Sequence, residues 1–228
     1  MKISIIIPTY NEEKNIINLL VNLKSQLKTY PKSEILIIDG GSSDRTLNLV
    51  KEIGITAYSC QKGRGEQLHL GATNSTGDVL YFLHADSIPP KNFLSIIESE
   101  VTSGSEVGCF QLIFSPTNRI LKFYEYFVRF PLIVFRGGDQ SLFITKNLYK
   151  KVGGFNSSFK LMEDIDFIKR VVKESKFKIL KEKVMTSSQK YKTNGTVKLQ
   201  FLFAIMHFFF FIGLSNKQIK KFYDKIVK

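Results

Sequence analysis

Three acidic stretches carry the residue types from which a chain can bind a polar ligand, hold a cation or move a proton. They are Asp39-Gly40-Gly41-Ser42-Ser43-Asp44, His84-Ala85-Asp86 and Met162-Glu163-Asp164-Ile165-Asp166. In the first, the glycines permit close backbone approach and the serines or Asp44 can cap a helix. Two acids there would repel a phosphate, so Asp39 suits a hydrogen bond to a base or ribose better. No Walker or dinucleotide fingerprint is present. Asp86, ending an apolar run, can hold Mg²⁺ or Mn²⁺, which bind through one or two carboxylates plus substrate oxygens. The acids at 163–166 can supply a general base, or can simply favour a helix N-terminus through its dipole. Lys62-Gly63-Arg64-Gly65-Glu66-Gln67 offers two cations to a phosphate at a helix start, or makes a surface turn. Gly137-Gly138-Asp139-Gln140 is a flexible turn with one acid, which can line an acceptor site or be a turn only.

The elements that must position these residues follow from hydrophobic spacing. Strands are expected at Ile3–Ile7, Glu34–Ile38, Ile55–Ser59 and Val79–His84. They alternate with helices at Glu12–Leu27, capped by Asn11, and at Asp44–Ile53, Gly65–Asn74 and Phe93–Val101. That order argues a parallel sheet covered on both faces. Ligands of such sheets lie beyond the carboxyl ends of the strands, which selects Pro8–Glu12, Asp39–Asp44, Lys62–Gln67 and His84–Asp86. After residue 105 the rhythm changes. Strands are expected at Gly108–Phe114, Ser141–Thr145, Phe177–Leu180 and Val184–Ser188, with helices at Asn118–Phe130 and Glu163–Glu174.

The order of these motifs resembles the family 2 glycosyltransferases. The residues that carry the likeness are Ile5-Ile6-Ile7-Pro8-Thr9-Tyr10-Asn11-Glu12-Glu13, Ile37-Ile38-Asp39-Gly40-Gly41-Ser42-Ser43-Asp44, Phe82-Leu83-His84-Ala85-Asp86 and Met162-Glu163-Asp164. A small bacterial subgroup, the radical-SAM/selenodomain-associated transferases, is similar also in Gly63-Arg64-x-x-Gln67, Gly138-Asp139-Gln140 and Thr186-Ser187. The resemblance implies an α/β chain of GT-A (nucleotide-diphospho-sugar transferase) fold. Its central sheet would be mostly parallel with helices on both faces, and an apolar helical segment would follow at the C-terminus.

The resemblance also implies an inverting sugar transfer from a nucleotide-diphospho-sugar, with a UDP-sugar favoured, to the hydroxyl of an acceptor of unknown identity, for which a lipid or other hydrophobic molecule is one option. Pro8, Thr9 and Glu12 would border the nucleoside, and Asp39 would bind the base. Arg64, Gln67, His84, Ala85 and Lys190 would lie along the nucleotide-sugar. Asp86 matches the second acid of the family's D-x-D motif and would ligate Mn²⁺ or Mg²⁺. Asp164 matches the acid that serves as catalytic base, with Asp139, Gln140 and Glu163 beside the acceptor or the donor sugar. His84 stands where the family has the first acid of D-x-D, and Gln189-Lys190-Tyr191 where many relatives have an arginine-tryptophan pair. Two readings compete: a nucleotidyltransferase, and a domain that binds a nucleotide or a membrane without turnover. The first would carry a glycine-rich basic loop after strand one, where this chain has the acidic Pro8-Thr9-Tyr10-Asn11-Glu12-Glu13. The retained Asp39, Asp86 and Asp164 argue against the second.

Composition bounds the rest. The 228 residues, 43% apolar and 23% charged, exclude a disordered chain and a multi-span membrane protein. Cys60 and Cys109 lie too far apart for a cysteine-rich zinc module and suit a reducing compartment. The net charge is +13, of which Lys181–Lys228 holds ten lysines against Glu182 and Asp224. No signal peptide is evident, so a cytoplasmic location is expected, peripheral at the inner face of the membrane if the tail attaches there. Leu199–Leu214 is apolar apart from Gln200 and His207, too short to span a bilayer, and flanked by lysines. It suits attachment to an anionic leaflet, packing on the sheet, or a homodimer. The expected division is 1–195 (1–105 nucleotide-binding, 106–195 acceptor and catalytic) and 196–228. Nothing but charge suggests nucleic acid, and no nucleic-acid partner is expected.

Overall fold

The computed structural model describes residues 1–227. Its first half runs β1 (Ile3–Thr9), α1 (Ile16–Leu27), β2 (Glu34–Asp39), α2 (Thr46–Glu52), β3 (Ala57–Ser59), α3 (Arg64–Asn74), β4 (Val79–Phe82), β5 (Ser87–Ile88) and α4 (Phe93–Thr102). The second half runs β6 (Val107–Ser115), α5 (Arg119–Phe127), β7 (Leu142–Thr145), α6 (Lys146–Lys151), α7 (Glu163–Val171), β8 (Lys178–Ser187), α8 (Gln189–Asn194), α9 (Thr196–Phe211) and α10 (Asn216–Asp224). Short 3-10 turns at Ile133–Phe135 and Gly138–Gln140 precede β7.

One eight-stranded sheet joins the strands in the order β3-β2-β1-β4-β7-β6-β8-β5. β3, β2, β1 and β4 are parallel, and β6 is parallel to β8. β7 runs antiparallel between β4 and β6, and β5 antiparallel to β8. The near-continuous apolar run of β1 is explained by burial on both faces. Ile3, Ile5 and Ile7 join the core that holds α1, α4, α9 and α10, while Ile6 joins the core that holds α3 and α7. The helix spacing of α1 buries Leu19, Leu20 and Leu23 completely, each contributing roughly 1.5–3 kcal/mol. α3 lies so close to β1 that a Cβ on Gly71 would meet Ile6 Cγ2 at 2.3 Å. That contact sets the height of α3 and so of Arg64, its first residue.

Several expectations need correction. Asn11 does not cap α1, which begins at Ile16. Asn11 has φ 55° and its Oδ1 accepts from Ser43 N at 2.9 Å, tying two rim loops together. The two strands expected over Phe177–Ser188 are one strand, β8. Its pairing with β6 shifts register between Cys109 and Gln111, where Leu180–Glu182 bulge out, and that bulge breaks the apolar pattern. His84 lies past the end of β4 rather than within it. Of the alternatives for the C-terminal segment, packing inward accounts for Leu199, Leu202, Met206 and Ile219, which are buried in the same core as β1.

Candidate active site

The loop after β4, the start of α3, the Gly138–Gln140 turn, the start of α7 and the end of β8 enclose a cleft of about 360 Å³, within the usual range for a ligand pocket, and the loops after β1 and β2, with Pro8, Thr9, Glu12 and Asp39, lie outside its lining. Arg64, His84, Asp86, Asp139, Glu163, Asp164, Thr186 and Lys190 line its charged end.

Arg64 organises that end. Its Nε is 3.3 Å from Glu163 Oε1, and its Nη2 is 3.0 Å from His84 Nδ1 and 3.8 Å from Asp139 Oδ1. His84 Nδ1 also lies 3.0 Å from Asp139 Oδ1. One ring nitrogen serves one partner at a time. A protonated Nδ1 donates to Asp139, whereas a bare Nδ1 accepts from Arg64. Gly138 makes this packing possible, because a Cβ there would stand 2.6 Å from Arg64 Nη2 and 3.0 Å from His84 Nε2.

The two acids at the start of α7 differ. Glu163 is 4% exposed. Burial, reinforced by the neighbouring Asp164 and opposed by Arg64, pushes its carboxyl up to about 7. Asp164 faces the cleft. Its Oδ2 accepts from Gly138 N at 2.6 Å and its Oδ1 from Ile165 N at 2.8 Å, which fixes the carboxylate while leaving lone pairs for a substrate hydroxyl. Burial opposes ionisation of Asp139. The His84 hydrogen bond and the charges of Arg64 and Lys190 outweigh it and hold this carboxyl well below the usual carboxylate range. Asp166 is tied to Arg170 at 2.8 Å, away from the cleft.

Other expected residues are turned inward. Asp39 has no exposed surface. Its Oδ2 accepts from Gly41 N at 2.9 Å and Ser42 N at 2.8 Å, and its Oδ1 from Ser42 Oγ at 2.5 Å and Thr9 Oγ1 at 3.2 Å. Four donors fill the capacity of a carboxylate, so Asp39 holds the loop that would border a base and offers no lone pair of its own. Gln67 is buried beneath Gly40, its Nε2 donating to Thr9 O and Ile38 O at 2.9 and 2.8 Å. It clamps the ends of β1 and β2 instead of reaching a diphosphate. Gln140 is likewise buried and donates to Phe135 O at 3.0 Å. Ala85 is buried, Pro8 and Glu12 are half-buried on the rim, and Lys190 is exposed at its edge. Burial, together with Asp86 and Asp44, raises the carboxyl of Glu12, while Asn15 and His84 oppose the shift.

Asp86 is the carboxylate with an open side. Its Oδ1 is 3.3 Å from Ser87 Oγ and 3.5 Å from Thr186 Oγ1, and its Oδ2 has no hydrogen-bond partner among the described residues. No group of three or more metal-ligating side chains forms among the described residues. One free carboxylate on a polar cleft fits a hard cation that takes its remaining ligands from substrate oxygens and water. His84 Nδ1 is already engaged by either Arg64 or Asp139.

A family model for glycosyl transferase family 2 matches residues 4–163. The chain belongs to that family. It is 40% identical over 102 residues to a dolichyl N-acetyl-alpha-D-glucosaminyl phosphate glucuronosyltransferase of Methanococcus voltae, which covers 40% of this chain and 31% of that protein. The chain spans about a third of the length of the first curated relatives it matches. Among solved structures, S. aureus TarS in complex with UDP superposes with a TM-score of 0.69 at 20% identity, covering 82% of this chain and 60% of that one. The mannosyltransferase PcManGT of Pyrobaculum calidifontis, solved with GDP-Man and Mn²⁺, gives 0.70 at 17% identity, covering 90% and 61%. The family member described here therefore has the GT-A fold expected from its sequence.

The far end of the cleft carries, besides Tyr191 of the Gln189-Lys190-Tyr191 stretch, residues that no motif singles out. Leu112, Tyr124, Tyr191, Phe203, Met206 and Tyr223 make it largely aromatic, and His207 lines it from α9. Burial pushes the Tyr124 hydroxyl up to about 12, so that group stays neutral. His207 Nδ1 is 2.8 Å from Phe203 O, and its buried Nε2 has no partner. The only signal for His207 was a lone histidine in an otherwise apolar run.

Proposed function

We propose that this chain transfers a sugar, with inversion, from a nucleotide-diphospho-sugar to an acceptor hydroxyl. A UDP-sugar is the favoured donor and a hydrophobic molecule the favoured acceptor. The observation that carries the proposal is the single cleft holding Asp86, Arg64 and Asp164 together. Arg64 and Lys190 would bind and neutralise the diphosphate, on which negative charge develops as the glycosidic bond to phosphate breaks. Asp86 would hold Mn²⁺ or Mg²⁺, which supplies further charge neutralisation at the leaving group. Asp164 would take the proton from the acceptor hydroxyl while that oxygen bonds the anomeric carbon from the opposite face. The nucleoside diphosphate leaves with the electron pair of the broken bond. Asp139 and the raised carboxyl of Glu163 would orient sugar hydroxyls.

The rim loops from Pro8–Glu12 and Asp39–Ser43 would border the nucleoside, with Asp39 acting by shaping the second loop. The Gly63-Arg64-x-x-Gln67, Gly138-Asp139-Gln140 and Thr186-Ser187 motifs support placement in the radical-SAM/selenodomain-associated subgroup. We assign the nucleotide-binding half to 1–105, the acceptor half to 106–195 and the acceptor-side wall to 196–228.

The test is release of nucleoside diphosphate from UDP-glucose, UDP-GlcNAc and GDP-mannose with Mn²⁺, with water as the default acceptor. Slow release from one donor, lost with chelator, is expected. No release and no binding of any of the three would overturn the proposal.

A further inference from the structure

Most of the exposed large apolar side chains of the described residues lie on α5, α9 and the segments that adjoin them. On α9, Val197, Phe201, Phe208 and Phe211 recur at helical spacing on the outward side, with Phe201 67% and Phe208 61% exposed. On α5, Ile120, Phe123 and Tyr126, followed by Phe130, make a second stripe, with Phe123 68% exposed. The two helices begin side by side, where Asn118 Nδ2 donates to Thr196 Oγ1 at 3.1 Å. The inward side of α9 is buried through Leu199, Leu202 and Met206. A helix that is apolar all round requires cover on both sides, and the fold covers one.

Charge identifies the cover. Arg119, Lys122 and Arg129 are exposed among the α5 aromatics, and the Arg129 guanidinium lies 4.3 Å over the Tyr126 ring. Lys169 lies 5.6 Å from the Phe210 ring and 5.9 Å from that of Phe211. The acid of α5, Glu125, is turned inward to Phe114 N and Thr117 Oγ1, and α9 has no acid. A second copy on this face would set the same cations against each other, on chains of net charge +13. No helix among the described residues is long and apolar enough to cross a membrane.

We propose that the outward faces of α5 and α9 dock in the plane of an anionic lipid bilayer, with the aromatic rings at headgroup depth and the cations on acidic lipids. Phe203, Met206 and His207 of α9 line the cleft, so docking brings its aromatic end to the lipid and admits an acceptor with an apolar body. That last step rests on the sugar-transfer reading. Docking does not, and it is measured without turnover.

The experiment is co-sedimentation of the full chain with vesicles of phosphatidylcholine alone and of phosphatidylcholine mixed with phosphatidylglycerol. Binding to the mixed vesicles is expected, about tenfold weaker without phosphatidylglycerol or in high salt. Phe201→Asp with Phe208→Asp should weaken it at least about tenfold with an unchanged thermal midpoint, since both rings are exposed. Arg119→Glu with Lys122→Glu should remove the preference for phosphatidylglycerol. The proposal is overturned if the wild-type chain stays in the supernatant with both vesicles, or if the aspartate variant binds as wild type. It is also overturned if a lipid-free dimer forms that the aspartate substitutions dissolve.

Discussion

Asp39 at the end of β2 and Asp86 beyond the end of β4 are the same group on the same rim, held in opposite conditions. Asp39 is fully buried and accepts four hydrogen bonds from its own turn and from Thr9. Asp86 has two long contacts to hydroxyls and an open oxygen. Asp164 lies between these extremes, anchored by Gly138 N and Ile165 N yet facing the cleft. A carboxylate that the backbone saturates builds the site, and one left short of donors works in it. Both kinds occur in the N-terminal half of the rim, Asp39 of the first and Asp86 of the second, while the acids brought by the Gly138 turn and α7 are each held by at least one partner.

The comparison breaks or sharpens under substitution. The largest effect is expected for Asp164→Asn, which should lower sugar transfer by about 10²- to 10⁴-fold while leaving donor affinity nearly unchanged, read by kcat against nucleotide titration. A matching loss of donor affinity would move Asp164 from base to ligand. Asp39→Ala should cost about 3 kcal/mol of folding stability in urea, because it leaves buried donors unpaired. An unchanged urea midpoint would remove the distinction drawn between Asp39 and Asp86.

Glu163 gives a pH test. Its carboxyl is raised from an ordinary 4.5 to about 7 in the folded chain, chiefly by burial. The unfolded chain loses this proton first, so the folded state binds more protons between those values and stability falls as pH rises through them. Glu163→Gln should flatten that fall, seen as urea midpoints that no longer separate between pH 5 and pH 7. A slope equal to that of the wild type would assign the pH dependence to other groups. The smallest stability effect is expected for Asp86→Ala, within about 0.5 kcal/mol, since no buried donor depends on it.

Much of the fold was legible because burial imposes a period. β1, β2 and β4 read as buried strands, and α1, α3, α4 and α7 as helices within a few residues of their observed ends. β8 was read as two strands because its bulge interrupts the apolar pattern with Lys181 and Glu182. β5, two residues long, left no pattern to read. Within the site, motif order brought Arg64, Asp86, Asp139 and Asp164 to one rim. It could not tell which way a polar side chain points. Gln67 and Gln140 carry motif spacing yet turn inward, since each finds backbone carbonyls to bond. The aromatic end of the cleft was hidden because no motif carries Phe203, Met206 or Tyr223, and only the three-dimensional return of the C-terminal helices places them at the site.

The most direct measurement is calorimetric titration of UDP and of GDP into the wild-type chain and into Asp86→Ala, with Mn²⁺ and with chelator. The account predicts that one nucleotide binds the wild type in a Mn²⁺-dependent manner and that Asp86→Ala abolishes the metal dependence. Binding that is equally tight with chelator, or metal-dependent binding that survives in Asp86→Ala, would contradict it.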